Sequence, residues 1–354
     1  MLYPPCELCK LTGVGEPTTR GVASKMVVAK HIVLTGASGY LGQHILHSFL
    51  TNPPPPDHVY KITALYHKCP GFVEAVQRVS YASGIQVNAV SSLNLMDAMQ
   101  IQEWKASLLD DPIDICIHTA AVSSPRACEV DPDLAYGINV PQHFFQALKD
   151  VPIIVLSTDQ VYDGTKKTEK EGLYEEDKDK PNPVNVYGKT KQAMEEYLQR
   201  HSPNHFVALR SSIIVGPKAP IHKVDTVHDT FLHFCESRRE QETTYFTNEY
   251  RTVVHVRHVV SIMRWLVQQH WDGPNSSPIA GIYNMGGPVR VNRQDMAREV
   301  FRYFQSDDKY VIAATQTSLT SPLDISMNSA KLQSLTGISH QPETMKEFVE
   351  TTFT

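Results

Sequence analysis

The chain has 354 residues, room for one large domain or two small ones, and its 41% hydrophobic and 20% charged residues exclude a disordered protein. Its net charge of -5 comes without a long basic run, so we expect neither nucleic acid nor a membrane surface as a partner. No apolar stretch reaches the ~18 residues that a transmembrane helix needs.

The first 28 residues carry several prolines and small residues without hydrophobic periodicity, and we expect them to form a disordered extension. Cys6 and Cys9 make a lone CxxC pair there, without the second pair of ligands that a zinc site needs. The six cysteines are dispersed, no signal peptide precedes them, and the histidines show no metal-binding spacing. We therefore expect free thiols, no metal and a cytoplasmic location.

The next segment predicts a strand, a glycine turn and a helix in succession. The apolar run Ile32 to Leu34 is typical of a buried strand, the turn GASGYLG follows, and apolar residues then recur at helical spacing. Gly36 permits a sharp turn, Gly39 lets the backbone approach a pyrophosphate, and Gly42 lets the helix pack closely. The helix N-terminus then offers N–H groups to phosphates. We infer a dinucleotide site; the alternative is an ordinary strand-to-helix turn.

Strands and helices alternate beyond this turn. Strands are predicted at Tyr60–Tyr66, Ile85–Val90, Asp114–His118, Val151–Leu156 and Phe206–Val215. Helices are predicted at Phe72–Val79, Leu95–Leu109, Leu134–Leu148 and Tyr187–Gln199. This alternation predicts an α/β fold, a Rossmann-type doubly wound parallel sheet that binds ligand at the carboxyl ends of its strands. The polar stretch Tyr162 to Asn185 is expected to be a long loop.

The pattern changes after Gly216, where proline-rich sequence and shorter elements begin. A helix is expected near Thr226 to Cys235, and a further strand at Gly281 to Met285. We expect three parts: the disordered extension 1–28, a nucleotide-binding Rossmann domain 29–215, and a smaller substrate-binding lobe 216–354 interleaved with returns to the sheet.

Two motifs lie where the carboxyl ends of the strands are predicted, the edge at which such sheets bind their ligands. The sequence STDQVY follows the fifth strand and puts Thr158 at the carboxyl edge, and YGKTK opens a helix on which Tyr187 and Lys191 share one face. A phenol has a pKa of ~10, and we expect the nearby ammonium group to lower the pKa of Tyr187. The pair can then pass a proton to a carbonyl oxygen while hydride arrives from a nicotinamide, with the Thr158 hydroxyl bonding the same oxygen.

Together, GASGYLG, STDQVYDG and YGKTK resemble the extended short-chain dehydrogenase/reductases. The segments PNPVNVYGKTK, LRSSIIVG, YNMGGP and SPLDISMNSAKL are similar to the dTDP-4-dehydrorhamnose reductase branch, which includes the regulatory β subunit of methionine adenosyltransferase. The resemblance covers the chain from Lys30 onwards.

The resemblance implies roles for individual residues. Thr158, Tyr187 and Lys191 would be the catalytic trio. The pyrophosphate would be held by Gly36, Ser38, Gly39, Tyr40, Leu41 and Gly42. The rest of the cofactor would contact Asn94 and Leu95 at the adenine, with Asn in place of the usual Asp, and Ala120 and Ala121 at the nicotinamide. Asn139 would brace the active-site lysine.

The resemblance also bears on substrate and reaction type. The candidate substrate residues are Arg126, Asp159 and Ile213. For Arg126, the alternative is an arginine on the surface without a role in the site. Dehydratases of this superfamily carry Asp-Glu after the threonine, and Gln160 replaces that glutamate. Glutamine cannot act as an acid and then as a base, which disfavours a dehydratase. An epimerase remains as a weaker alternative to a reductase.

The second predicted strand ends in Leu65-Tyr66-His67-Lys68, without the acidic residue that binds the ribose of NAD. Lys68 would instead attract a 2′-phosphate, so NADP is expected as the cofactor, with NAD as the alternative. We expect a reductase of a 4-keto sugar nucleotide. The competing hypothesis is an NADP-binding regulatory subunit without turnover, and the chain would form a homodimer or join a partner enzyme.

Overall fold

A computed structural model describes residues 28–52, 58–83, 85–222, 230–271, 279–339 and 341–354. The expected disordered extension, with Cys6 and Cys9, lies outside these residues except for Val28, where the first strand begins. The start of the helix expected near Thr226 is also outside them. None of the helices in these described ranges is long and apolar enough to cross a membrane.

The fold is built on a sheet of seven strands whose neighbouring pairs are all parallel. Numbered in chain order, they are β1 (Val28–Thr35), β2 (His58–Tyr66), β3 (Gln86–Ser91), β4 (Ile115–His118), β5 (Ile153–Thr158), β6 (Phe206–Ser211) and β10 (Gly281–Met285). Their spatial order is β10-β6-β5-β4-β1-β2-β3. The order in which strands are added therefore reverses between β1 and β4, and ligands of such sheets bind at this switch point. The predicted doubly wound α/β fold is confirmed.

Helices cover both faces of this sheet. The first eight are α1 (Tyr40–Thr51), α2 (Phe72–Ser83), α3 (Ala98–Ala106), α4 (Pro125–Val130), α5 (Pro132–Asn139), α6 (Gln142–Ala147), α7 (Thr168–Glu171) and α8 (Val186–His201). The later ones are α9 (Phe231–Ser237), α10 (Val256–Trp271), α11 (Arg293–Tyr303), α12 (Ala330–Thr336) and α13 (Met345–Phe353). Strand β1 shows the two-sided burial: Ile32 and Leu34 join the core under α1 and α10, whereas Val33 joins the core under α3, α6 and α8.

Three predictions of elements were wrong in detail. The single strand expected over Phe206–Val215 is β6 and a separate short strand, Ile214–Val215, which pairs outside the large sheet. The single helix expected over Leu134–Leu148 is two helices, α5 and α6, because Pro141 lacks the N–H that would continue the first one. The long loop expected over Tyr162–Asn185 contains the short helix α7.

A smaller assembly stands beside the carboxyl edge of the sheet. Strands β7 (Ile214–Val215), β9 (Tyr250–His255) and β11 (Val289–Asn292) form one sheet, and β8 (Thr243–Phe246) pairs with β12 (Val311–Ala314). They share a hydrophobic core with α9, α11 and α13. The chain leaves this assembly through α10, which packs beside α1, and through β10, which returns to the large sheet.

The close packing of α1 against the glycine turn can be tested at Gly42. A Cβ atom at Gly42 would lie 2.1 Å from the carbonyl oxygen of Gly36, so Gly42→Ala must push α1 away from the turn. We expect it to lower the free energy of unfolding in urea by about 1–3 kcal/mol. Gly39→Ala is the control, with 3.2 Å to the same oxygen and a smaller expected loss. Equal stability of Gly42→Ala and the unmodified protein would contradict this packing.

Candidate functional site

The glycine turn between β1 and α1 leaves the start of the helix open. Gly39 is the exposed N-cap residue of α1 and, as a glycine, has no side chain to cap the first N–H groups of the helix. Gly36 has a φ of +68°, and a Cβ there would lie 2.8 Å from the backbone nitrogen of Ala120. The turn thus passes close to the backbone at the end of β4, and the N-terminus of α1 follows it. This cradle fits the pyrophosphate of a dinucleotide.

The ends of β1 and β4 are tied together by the Thr35 hydroxyl. It is 2.9 Å from His118 Nδ1 and accepts hydrogen bonds from the backbone N–H groups of Thr119 and Ala120, both at 3.2 Å. Burial lowers the pKa of His118 to about 3, and the charge of Lys191 acts in the same direction, so this imidazole is neutral. No motif in the sequence indicates either residue. They fix the backbone that leads into the half-buried Ala120 and Ala121.

The structure brings the three predicted catalytic residues together. Lys191 is 2% exposed, and its Nζ donates to the carbonyl oxygen of Leu156 in β5 at 2.9 Å. Thr158, at the end of the same strand, bonds the Tyr187 hydroxyl and donates to Asp159 Oδ1 at 3.2 Å. A strand and a helix thereby place two hydroxyl groups and an ammonium group at the carboxyl edge of the sheet.

The ionisation of Tyr187 differs from the expectation. Its pKa is raised, not lowered by Lys191, because burial disfavours the phenolate and the carboxylate of Asp159 adds to the effect, while the bond to Thr158 opposes both. Burial lowers the pKa of Lys191 to about 8, and the Glu195 carboxylate opposes part of this lowering. Tyr187 is therefore a neutral phenol that still carries its proton at neutral pH, and its raised pKa makes it a weaker acid than the sequence predicted.

Asp159 is more deeply involved than the sequence suggested. Its Oδ2 accepts from the Ser212 hydroxyl at 2.9 Å and lies 3.8 Å from Arg251 Nε. Burial raises the pKa of Asp159, and the charge of Arg251 is the largest opposing effect. Arg251 comes from β9, so this pair joins the smaller assembly to the end of β5. Sequence reasoning missed Arg251 because its partner is 92 residues away in the chain.

A second buried charge network lies behind Lys191. Glu195, one helical turn further along α8, accepts three bonds from Arg210 of β6, from Nε at 3.0 and 3.3 Å and from Nη2 at 2.7 Å. Arg210 also donates to the Tyr162 hydroxyl at 2.9 Å, which in turn donates to Asn284 Oδ1 at 2.9 Å. The spacing of Glu195 from Lys191 was the signal in the sequence that could have revealed this network.

Other predicted residues lie where their elements place them. Asn139 is fully buried; it bonds the backbone of Val122 and the Thr190 hydroxyl, the neighbour of Lys191, at 2.9 Å. Gln160 accepts from Asn185, the N-cap residue of α8, at 2.8 Å. It therefore helps to hold the start of the helix that carries Tyr187.

The remaining predicted residues are exposed or half-buried. Lys68 is exposed just after β2, and Asn94 caps the exposed turn that leads into α3, with the half-buried Leu95 beside it. Ile213 is half-buried between β6 and β7. Arg126 is exposed on α4, and nothing described holds it toward Tyr187. Within the part of the chain that the structure describes, no group of three His, Cys, Asp or Glu residues could hold a metal ion.

Known proteins agree with this architecture. The reductase of Bacillus anthracis, dTDP-4-dehydrorhamnose reductase in complex with NADP, superposes with a TM-score of 0.67 at 17% identity, over 92% of this chain and 98% of its own. UDP-glucose 4-epimerase of Bifidobacterium longum, in complex with NAD+ and UDP, gives a TM-score of 0.72 at 15% identity, over 91% and 96%. These likenesses show the fold, which is that of a Rossmann-type α/β protein.

The family is shown by a match to its model. Residues 70–352 match the RmlD substrate binding domain, and the chain belongs to this family. Among curated relatives, methionine adenosyltransferase 2 subunit beta of Xenopus tropicalis is 26% identical over 274 residues, which are 76% of this chain and 71% of that protein.

The lowered pKa of Lys191 predicts a pH dependence of stability. Between about pH 8 and its ordinary pKa of 10.5, the unfolded chain holds the Lys191 proton and the folded chain does not. The free energy of unfolding therefore rises with pH in this window, by up to about 1.4 kcal/mol per pH unit, and Lys191→Met removes that contribution. Urea unfolding of both proteins from pH 7 to 10 measures it.

The control is Lys189→Met, which replaces an exposed lysine of the same helix and should leave the pH dependence of the unmodified protein unchanged. A difference between wild type and Lys191→Met that stays constant from pH 7 to 10 would contradict the burial of the ammonium group.

Proposed function

We propose that this protein is a nicotinamide-nucleotide-dependent reductase that acts on the keto group of a sugar nucleotide. The observation that carries the proposal is that Thr158, at the end of β5, bonds the Tyr187 hydroxyl, while Lys191 of the same helix bonds Leu156 of that strand. The nicotinamide group would supply hydride. A carbonyl carbon that accepts hydride needs a proton at its oxygen, and Tyr187 is the neutral acid that the site offers.

Each residue has a distinct task in this proposal. Tyr187 donates its proton to the carbonyl oxygen, and the Thr158 hydroxyl hydrogen-bonds the same oxygen as negative charge develops on it. Lys191, one helical turn from Tyr187 and charged below about pH 8, stabilises the phenolate that remains. The bond from Lys191 to Leu156 holds the ammonium group at this position.

The same residues argue for reduction over the related reactions. Elimination of water needs a second acid and base after Thr158, and Gln160 can supply neither because an amide does not ionise. Its side chain is engaged with Asn185. An epimerase requires the sugar to present both faces to the cofactor, and nothing described in this chain favours that over a single transfer.

A subunit role is the second candidate, and the curated relatives favour it. Several of them carry the name methionine adenosyltransferase 2 subunit beta, which describes a part of another enzyme. In that case the site would bind its nucleotide without turning over. Purification under native conditions separates the two: a larger enzyme recovered in equal amount, together with tight cofactor binding and no oxidation of the cofactor, supports the subunit role.

The central prediction concerns the Tyr187 hydroxyl. Tyr187→Phe removes one oxygen and keeps the ring, so folding and cofactor binding should survive while the reduction slows by ~10²–10⁴-fold. Lys191→Met should cost a similar factor, and Thr158→Val less, because it loses one hydrogen bond. The assay follows loss of reduced-cofactor absorbance with dTDP- and UDP-linked 4-keto-6-deoxy sugars.

Tyr197→Phe is the matched control. Tyr197 lies on the same helix, and its hydroxyl donates to the carbonyl oxygen of Gln142 at 3.3 Å, outside the site. It should reduce substrate at the rate of the unmodified protein. Turnover by Tyr187→Phe at that same rate would show that the proton comes from another group.

The cofactor is predicted to be NADP(H) in preference to NAD(H). No acidic residue stands at the end of β2, and the exposed Lys68 offers a positive charge to a 2′-phosphate. Lys68→Ala should weaken NADPH binding and leave NADH binding unchanged, as measured by fluorescence titration. Lys149→Ala, an exposed lysine at the opposite edge of the sheet, is the control. Tighter binding of NADH than NADPH by the unmodified protein would overturn the preference.

A further inference from the structure

Gln43, in the first turn of α1, is a polar side chain with no exposure at all. Its Nε2 donates to the carbonyl oxygen of Ser38 in the glycine turn at 2.9 Å. Its Oε1 accepts from the backbone N–H groups of Ile221 at 3.2 Å and His222 at 2.7 Å. One amide thus connects the glycine turn to a segment 178 residues away in the chain.

A neighbouring contact joins the same two regions. His44 Nε2 lies 3.1 Å from the carbonyl oxygen of Pro217, which follows β7. Burial lowers the pKa of His44 to about 4, so the ring is neutral and Nε2 carries the proton that this carbonyl accepts. Two consecutive residues of α1 therefore hold both ends of the segment 217–222 against the helix that begins at the glycine turn.

The geometry has a consequence for a ligand in the turn. The start of α1 faces the place where a phosphate would bind, whereas the carbonyl oxygen of Ser38 accepts from Gln43. Any shift of the turn that accompanies phosphate binding moves the Gln43 amide, and with it the acceptor for the N–H groups of Ile221 and His222. Glutamine meets this need because one side chain both donates and accepts.

We propose that Gln43 is a positioning residue that couples cofactor binding at the glycine turn to the order of the segment 217–222. The proposal rests on the proposed nicotinamide nucleotide. The segment follows β7, and Ile213, a predicted substrate residue, directly precedes β7. Through the coupling, cofactor binding would therefore change the order of the chain near the predicted substrate residue. Linkage is reciprocal: what orders the segment also strengthens cofactor binding.

Hydrogen–deuterium exchange of the peptide covering 217–222, measured with and without NADPH, tests the coupling in the unmodified protein. We expect NADPH to slow exchange of these amides. In Gln43→Met, which keeps the length of the side chain, NADPH should no longer slow the exchange. NADPH binding by fluorescence titration should also weaken by about 10-fold, the equivalent of one lost hydrogen bond.

The comparison variant is Gln294→Met, the same substitution at a buried glutamine of α11, outside the turn. It should keep both the NADPH affinity and the slowing. A purely structural role for Gln43 would lower the melting temperature and leave the slowing intact, which overturns the coupling.

The other outcomes are also distinct. An unmodified protein that binds NADPH without slowing exchange at 217–222 overturns the coupling and leaves the proposed function standing; this measurement needs no variant to fold. An unmodified protein that binds neither NADPH nor NADH overturns both proposals.

Discussion

The hydrogen bond from Lys191 Nζ to the carbonyl oxygen of Leu156 fastens helix α8 to strand β5 at the candidate site. Strand β5 carries Thr158 two residues after Leu156, and helix α8 carries Tyr187 one turn before Lys191. The bond therefore sets how closely the two hydroxyl groups approach. Burial disfavours the charge of Lys191, and the carbonyl oxygen together with the Glu195 carboxylate stabilises it.

The charge near Lys191 is in turn balanced by a network that spans the fold. Arg210 neutralises Glu195, and Tyr162 links Arg210 to Asn284 of β10. A buried ion pair is costly unless its polar atoms are bonded, and both groups of this pair have several partners. Strand β10, at one edge of the large sheet, follows the smaller assembly in the chain. Its Asn284 belongs to the hydrogen-bond network that begins at Glu195 of α8.

The fold was readable from the sequence because its signals are local. The turn GASGYLG, the continuous apolar strands and the alternation of elements depend on neighbours in the chain, and each appears in the structure near its predicted place. The break at Pro141 was equally local, and it was overlooked within a region of helical spacing.

The site was only partly readable, for a physical reason. Thr158, Tyr187 and Lys191 fall in motifs, whereas Arg251, Arg210 and Gln43 act through partners far away in sequence, which no spacing rule reveals. The pKa of Tyr187 was misjudged for the same reason. Its direction is decided by burial and by the carboxylate of Asp159, both products of the folded structure.

Direct transfer of hydride to the sugar tests the account most sharply. NADPH carrying deuterium at the transferable position of the nicotinamide is incubated with the protein and a 4-keto-6-deoxy sugar nucleotide, and the product is examined by mass spectrometry and NMR. The account predicts one deuterium on the carbon that bore the keto group. A protein that binds NADPH yet gives no labelled product with any such substrate would contradict the reductase and leave the nucleotide in a binding role.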